Sequence, residues 1–211
     1  MDVQMVSLEE AQALDLIPDL QSDDPAKADA ACARVQAMIK SKQATLLAWP
    51  MVKLADGDRS TSETISEKRY PTEFEPPQEQ AAGPAATTPP MLPPRTPADT
   101  PLPENIVGTT FETRNVGPTL EVEARVRDEG KRVYLNLVSQ RVELIEMEKF
   151  ENIVTQHKVV QATQPLFADS KSTITLTVQS GQRQLIGVHK LGKPANQIEF
   201  HLVRAVVSKT D

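Results

Sequence analysis

Proton transfer, metal binding and nucleophilic attack draw mainly on histidine, cysteine and paired carboxylates, and this sequence of 211 residues carries only three histidines and one cysteine. His157, His189 and His201 fall in different segments, and none stands in an H-x-x-x-H or H-E-x-x-H arrangement that would bring two imidazoles to one metal. His201 lies between Phe200 and Leu202, so period two predicts that it points to the outer face of a strand. Cys32 has no neighbour that would favour its thiolate and lies on an apolar helical stripe, which predicts a small core residue. Glu143, Glu146, Glu148 and Glu151 read as a solvated charge run, and no spacing selects an acid–base pair among the carboxylates. No nucleophile elbow, phosphate-binding loop or dinucleotide fingerprint is present. The residues therefore assign no catalytic, cofactor-binding or metal-binding position, and a hydrolase stands only as an alternative.

Around these residues the chain divides by composition. Up to about residue 43 it reads as two short helices. Ser7 and Glu10 have capping-box spacing, and Ala11, Leu14 and Ile17 share a helical face before Pro18. Asp24 is an expected N-cap with Pro25 in the first helical position, followed by a stripe of Ala28, Ala31, Cys32, Val35, Met38 and Ile39. Residues 44–75 suggest a β-hairpin: a buried strand from Ala44 to Leu54 bent at Pro50, a turn at Asp56-Gly57, and a polar strand from Arg59 to Arg69 pairing back. Ten of the 17 prolines fall between Pro76 and Pro103, which marks residues 76–107 as a flexible or polyproline-like loop.

The clearest strand patterns occupy residues 108–211. Leu120, Val122, Ala124 and Val126 alternate with charged residues, and Val133, Leu135 and Leu137 follow the turn at Glu129-Gly130. Ile174, Leu176 and Val178 alternate with threonines before a turn at Ser180-Gly181, and Ile198, Phe200 and Leu202 share a face of the last strand. Between Arg141 and Val160 only Val142 to Met147 reads as strand. This succession of hairpins predicts a mainly β fold of α+β type: antiparallel sheets, sandwich-like, with two N-terminal helices packed against them.

A net charge of −6 without a basic cluster argues against nucleic acid as a partner. The single cysteine excludes an intrachain disulfide. No segment has the apolar length of a transmembrane helix, and the first residues show no signal-peptide pattern.

The run Phe111-Glu112-Thr113-Arg114-Asn115-Val116-Gly117-Pro118 resembles the segment of secretins in which Val-Gly precedes a long strand. Gly130 followed by Val133 to Leu137 resembles the next hairpin of that family. Gln164-Pro165-Leu166-Phe167 and Ser180-Gly181 through Gly187 resemble its later hairpin and glycine signature. Trp49-Pro50-Met51-Val52 with Asp56-Gly57 is similar to the entry of the same domain, and Tyr70 to Pro77 to an element of a secretin-like subgroup. The resemblance covers about residues 44–75 and 108–207 in the family's order. Secretins are outer-membrane ring channels of type II and III secretion and type IV pilus systems. It implies a periplasmic or outer-membrane-associated location, self-association, and structural roles for Val116, Gly117, Gly130, Pro165, Gly181 and Gly187.

The sequence departs from the family at Gly187-Val188, where a double glycine is usual, and at Leu191 to Asn196, which replaces a longer Pro- and Gly-containing segment. The Pro-rich stretch stands where a membrane-facing hairpin would lie. The expectation is therefore a non-catalytic assembly component of a bacterial secretion or pilus system. It would contact envelope proteins and copies of itself without forming a pore alone, with no cofactor or small-molecule substrate and at most indirect membrane contact. A soluble surface β-sandwich adhesin is the other alternative.

Overall fold

The computed structural model describes residues 1–75, 107–154 and 159–208; the Pro-rich segment through residue 106 and His157 lie outside them. Strand β1 (Asp2–Glu9) leads into helices α1 (Glu10–Leu20) and α2 (Pro25–Lys40). Strands β2 (Thr45–Ala48), β3 (Arg59–Glu63), β4 (Ser66–Glu75) and β5 (Val107–Arg127) follow. The chain ends with β6 (Arg132–Val154), β7 (Val159–Gln179), β8 (Arg183–Lys190) and β9 (Gln197–Arg204). The fold is mainly β, with antiparallel sheets and two helices, as the period-two patterns predict.

Two compact units divide the chain. The first comprises Met1–Glu67, Asn115–Ile145 and Phe167–Asp211; the second comprises Lys68–Arg114 and Glu146–Leu166. The first unit holds a four-stranded sheet of order β2-β1-β9-β8 and, from a second sheet of order β3-β5-β6-β7 with β4 also beside β5, strand β3 and residues 115–127, 132–145 and 167–179. Helices α1 and α2 cover one face of the four-stranded sheet through Leu16, Leu20, Cys32 and Val35 packed on Val6, Leu8, Phe200 and Leu202. Its opposite face meets the second sheet through Val3, Ile186 and Val203 against Leu120, Val122, Leu135, Leu137 and Val178. Each layer thus buries one apolar face, and the middle sheet buries both.

The N-terminal reading requires correction. Residues 2–9 form a strand buried over seven of its eight positions, not the approach to a helix. Ser7 is no N-cap: it belongs to β1, and its hydroxyl bonds the Gln197 side chain on β9. Helix α1 starts at Glu10, and its buried face is Ala13, Leu16 and Leu20, whereas Leu14 is exposed. Helix α2 follows the expected pattern, with the Asp24 carboxylate accepting the Ala26 N–H at 3.0 Å and Pro25 in the first turn.

The expected hairpin of residues 44–75 does not form. Strand β2 pairs with β1, whereas β3 pairs with β5 in the other sheet. The Asp56-Gly57 turn carries the chain between the sheets; the Gly57 N–H donates to Ala124 O and the Asp56 carboxylate accepts the Val126 N–H. Ser180-Gly181 likewise joins strands of different sheets, with the Gly181 N–H donating to Ala205 O at 2.7 Å. Turn residues mark a reversal but carry no information on which strand will satisfy the backbone beyond it. Of the unsettled stretch from Arg141 to Val160, residues 141–154 belong to β6, a strand of 23 residues, and 159–160 begin β7, while 155–158 lie outside the described residues.

The second unit contains residues 68–75 of β4, 107–114 of β5, 146–154 of β6 and 159–166 of β7. Within it Thr110 donates to Glu73 at 2.7 Å, and the Arg69 guanidinium lies 4.4 Å from the centre of the Phe111 ring. Pro165 is half-buried within β7.

Val116 and Gly117 are positioned on β5, where Gly117 pairs with Val142 of β6. A Cβ on Gly117 would stand 2.1 Å from the Thr64 carbonyl oxygen, and its φ is +135°. The residue therefore admits the edge backbone at Thr64-Ile65, between β3 and β4, against β5. Gly117→Ala is expected to destabilise the fold by at least about 2 kcal/mol, read as a lower urea midpoint, because steric overlap adds to a φ unfavourable for alanine.

Candidate functional site

The densest polar chemistry lies between the two sheets of the first unit. The Arg141 guanidinium on β6 crosses to Glu199 on β9, with Nη2 at 2.6 Å from Oε2 and Nε at 3.1 Å from Oε1. Ser170 on β7 donates to Glu199 Oε1 at 2.9 Å, and His201 Nε2 lies 3.0 Å from the same oxygen. Ser139 Oγ is 3.1 Å from His201 Nδ1. Glu199, His201 and Ser139 have no solvent exposure, and Arg141 has only 7%.

Burial by itself would raise the Glu199 carboxyl's pKa, but hydrogen bonds from His201 and Arg141, together with the Arg141 charge, bring it from 4.5 down to about 2. As a carboxylate Glu199 can only accept, so His201 carries its proton on Nε2 and accepts from Ser139 through Nδ1 in the neutral form. Arg141 is held in its charged form despite burial by Glu199 and by Glu143, whose Oε2 is 2.7 Å from Nη1. Glu143 is thus an ion-pair partner and not part of a purely solvated run.

His201 overturns the expectation of an outer-face position. Strand β9 is buried at six consecutive positions, so its polar face is as enclosed as its apolar one. Alternation separates two faces of a strand but does not say that both are covered. Sequence reasoning also missed Ser139, Arg141, Ser170 and Glu199. The available signal was the opposite charge of Glu199 and Arg141 within apolar strands, which acquires meaning only when the two strands face each other.

Ser139, His201 and Glu199 form a chain in nucleophile–base–carboxylate order. A serine nucleophile must also reach a substrate and oxyanion donors. Here the hydroxyl is enclosed and the carboxylate is engaged by Arg141 and Ser170 as well as by His201. Its chemistry in this arrangement is to join two sheets with fully paired polar groups. A groove of about 410 Å³ beside helix α2 lies elsewhere, next to Ser22, Asp29, Gln182 and Arg183.

Gly187 is integral to the cluster. A Cβ there would lie 2.1 Å from Ser172 Oγ and 2.9 Å from His189 Nε2, two groups 3.0 Å apart. The glycine leaves room for that contact between β7 and β8. Gly130 closes the β5–β6 connection and Gly181 the β7–β8 turn. The structure therefore brings only Gly187, of the motif positions, to this cluster.

Two other groups have structural surroundings. Asp2 accepts from Trp49 Nε1 at 3.0 Å, Arg183 Nη2 at 2.7 Å and Arg204 Nε at 2.9 Å, tying strand ends together. Cys32 is buried and its thiol is pushed up to about 11 by burial, consistent with a core residue. Among the described residues no group of three or more His, Cys, Asp or Glu side chains could hold a metal. No described helix is long and apolar enough to cross a membrane.

Glu199→Gln is expected to destabilise the chain by about 3–5 kcal/mol in chemical denaturation, because Arg141 then remains buried without its counter-charge. The depressed Glu199 pKa means that this carboxylate contributes fully above about 4.5 and loses its contribution as pH falls toward about 2. Stability measured over that window should fall more steeply in the wild type than in Glu199→Gln.

A scan against protein-family models finds no match to the chain, and searches of curated proteins and of solved structures find none either.

Proposed function

We propose that this chain is a non-catalytic assembly component of a bacterial secretion or type IV pilus system, similar to a shortened secretin core and located in the periplasm or at the outer membrane. It binds envelope partners and further copies of itself by adding strands to an open sheet edge. The observation that carries this reading is the edge strand β3, beside β5 and not paired on its other side among the described residues. Backbone groups along such an edge form a template for another strand.

The polarity of that edge favours a regulated partner contact over core formation. Strand β3, Arg-Ser-Thr-Ser-Glu, alternates between exposed and half-buried positions. The Thr64 N–H donates to Pro118 O. Strand alternation then directs the N–H groups of Ser62 and Ser60 toward β5 and those of Thr61 and Glu63 away from it. The outward groups are available to an incoming strand.

A role without independent pore formation is supported by β6. Glu146 and Glu148 lie on one alternate set, and Lys149 lies with Met147 on the other. A lipid-facing strand needs one apolar set.

Thr61→Pro separates folding from assembly, since it removes an outward N–H and leaves the β3–β5 ladder bonds. Size-exclusion chromatography with light scattering, alone and with detergent or liposomes, should give an oligomer for the wild type. The variant should be a monomer with thermal stability changed by no more than about 1 kcal/mol. An unchanged assembly in Thr61→Pro overturns edge addition at β3; a monomeric wild type overturns self-association; a membrane-inserted ring overturns the non-pore reading.

A further inference from the structure

We propose that His189 and His201 form a proton-operated latch that holds edge strand β8 against the second sheet and loosens it on acidification. The imidazoles are 4.7 Å apart between centroids, with an interplanar angle of 54°. His201 is enclosed on the central strand β9, whereas His189 is half-buried on β8, the outer strand of its sheet. His189 Nε2 meets Ser172 Oγ of β7 at 3.0 Å, and that contact spans the two sheets.

The surroundings offer a charge on His189 little free support. From β6, Ser139 contacts His201, while Arg141 reaches Glu199 and Glu143 reaches Arg141. From β7 come Ser170 and Ser172, and from β9 comes Glu199. On the β1 side, Met5 and Ser7 are in register with His201 and Glu199 and carry no charge. Arg141 and Glu199 neutralise one another, and Glu143 is partly exposed.

A proton on His189 adds a charge beside the His201 ring, and the Glu199 carboxylate in register with it across β8 and β9 is already engaged by Arg141, Ser170 and His201. Burial, followed by the charge of His201, lowers the His189 pKa from its ordinary 6.5. A base with a lowered folded-state pKa takes up fewer protons when folded. Its stabilising contribution is therefore complete above about 6.5 and declines as pH falls below that value.

Strand β8 is the element that yields because, among the described residues, only β9 pairs with it within its sheet, and its register shifts between Leu185 and Gly187. Gly187 contributes no side chain to hold it. Strand β9 is anchored by β1 on its other side and by Glu199 across the sheets.

Amide hydrogen exchange on the full chain at pH about 7.5 and about 5, corrected for intrinsic rates, tests the latch. The wild type should lose at least about tenfold protection in Arg183–Lys190 at the lower pH, with β1–β9 amides much less affected. His189→Gln retains an amide able to bond Ser172 but cannot acquire the charge, and its β8 protection should not respond to pH. Equal wild-type protection at both pH values, or an unchanged loss in His189→Gln, overturns the proposal. Imidazole NMR titration of the wild type supplies a test independent of that variant: coupled titration with the His189 midpoint below about 6.5 supports the latch, and a midpoint at or above it overturns the latch.

Discussion

The Arg141–Glu199 pair sets the demand that the rest of the first unit has to meet. Two charges removed from water between apolar layers are favourable only when every remaining lone pair and N–H is engaged at good distance. Ser170 and His201 complete the carboxylate, while Glu143 takes a further guanidinium N–H. Such a set of directional contacts fixes how β9 lies across β6 and β7, whereas apolar contact alone tolerates sliding. Strand β9 therefore presents Phe200 and Leu202 to the helices and Glu199 and His201 to the second sheet.

Close backbone approach is a second constraint. At Gly117 the space of a side chain is filled by the Thr64 carbonyl; at Gly187 it is filled by Ser172 and His189. The resemblance to secretins implies a structural role for both positions. The structure gives them a more specific role, because a hydrogen atom in place of Cβ allows an edge strand to dock at one and a polar contact to bridge two sheets at the other. Neither role follows from turn preference.

Polar groups thus divide into two kinds. Those between the sheets are enclosed and mutually paired, so their energy goes into specifying the packing. Those along β3 and β4 border solvent, where backbone groups can still exchange water for another strand. This division underlies the proposal of an assembly function: a well-specified interior would present a defined edge. The Ser139–His201–Glu199 chain belongs to the interior, and residue types in catalytic order do not supply access or transition-state contacts.

The sequence by itself determined the elements whose own pattern contains the answer. Leu120-Val122-Ala124 and Val133-Leu135-Leu137 specify strands by period two, and Asp24-Pro25 specifies the start of α2 through local capping. Strand β1 was misread because Ser7 and Glu10 mimic a cap, while the pairing that makes residues 2–9 a strand is with β9, far away in the chain. The chain's sheet changes at Asp56-Gly57 and Ser180-Gly181 were likewise hidden, since a turn sequence specifies reversal and not the next partner. Only the tertiary structure could decide that both faces of β9 are covered. That coverage turns His201 from an expected outer-face residue into a member, with Glu199, of a buried network, because their environment depends on helices and strands contributed by separate parts of the chain.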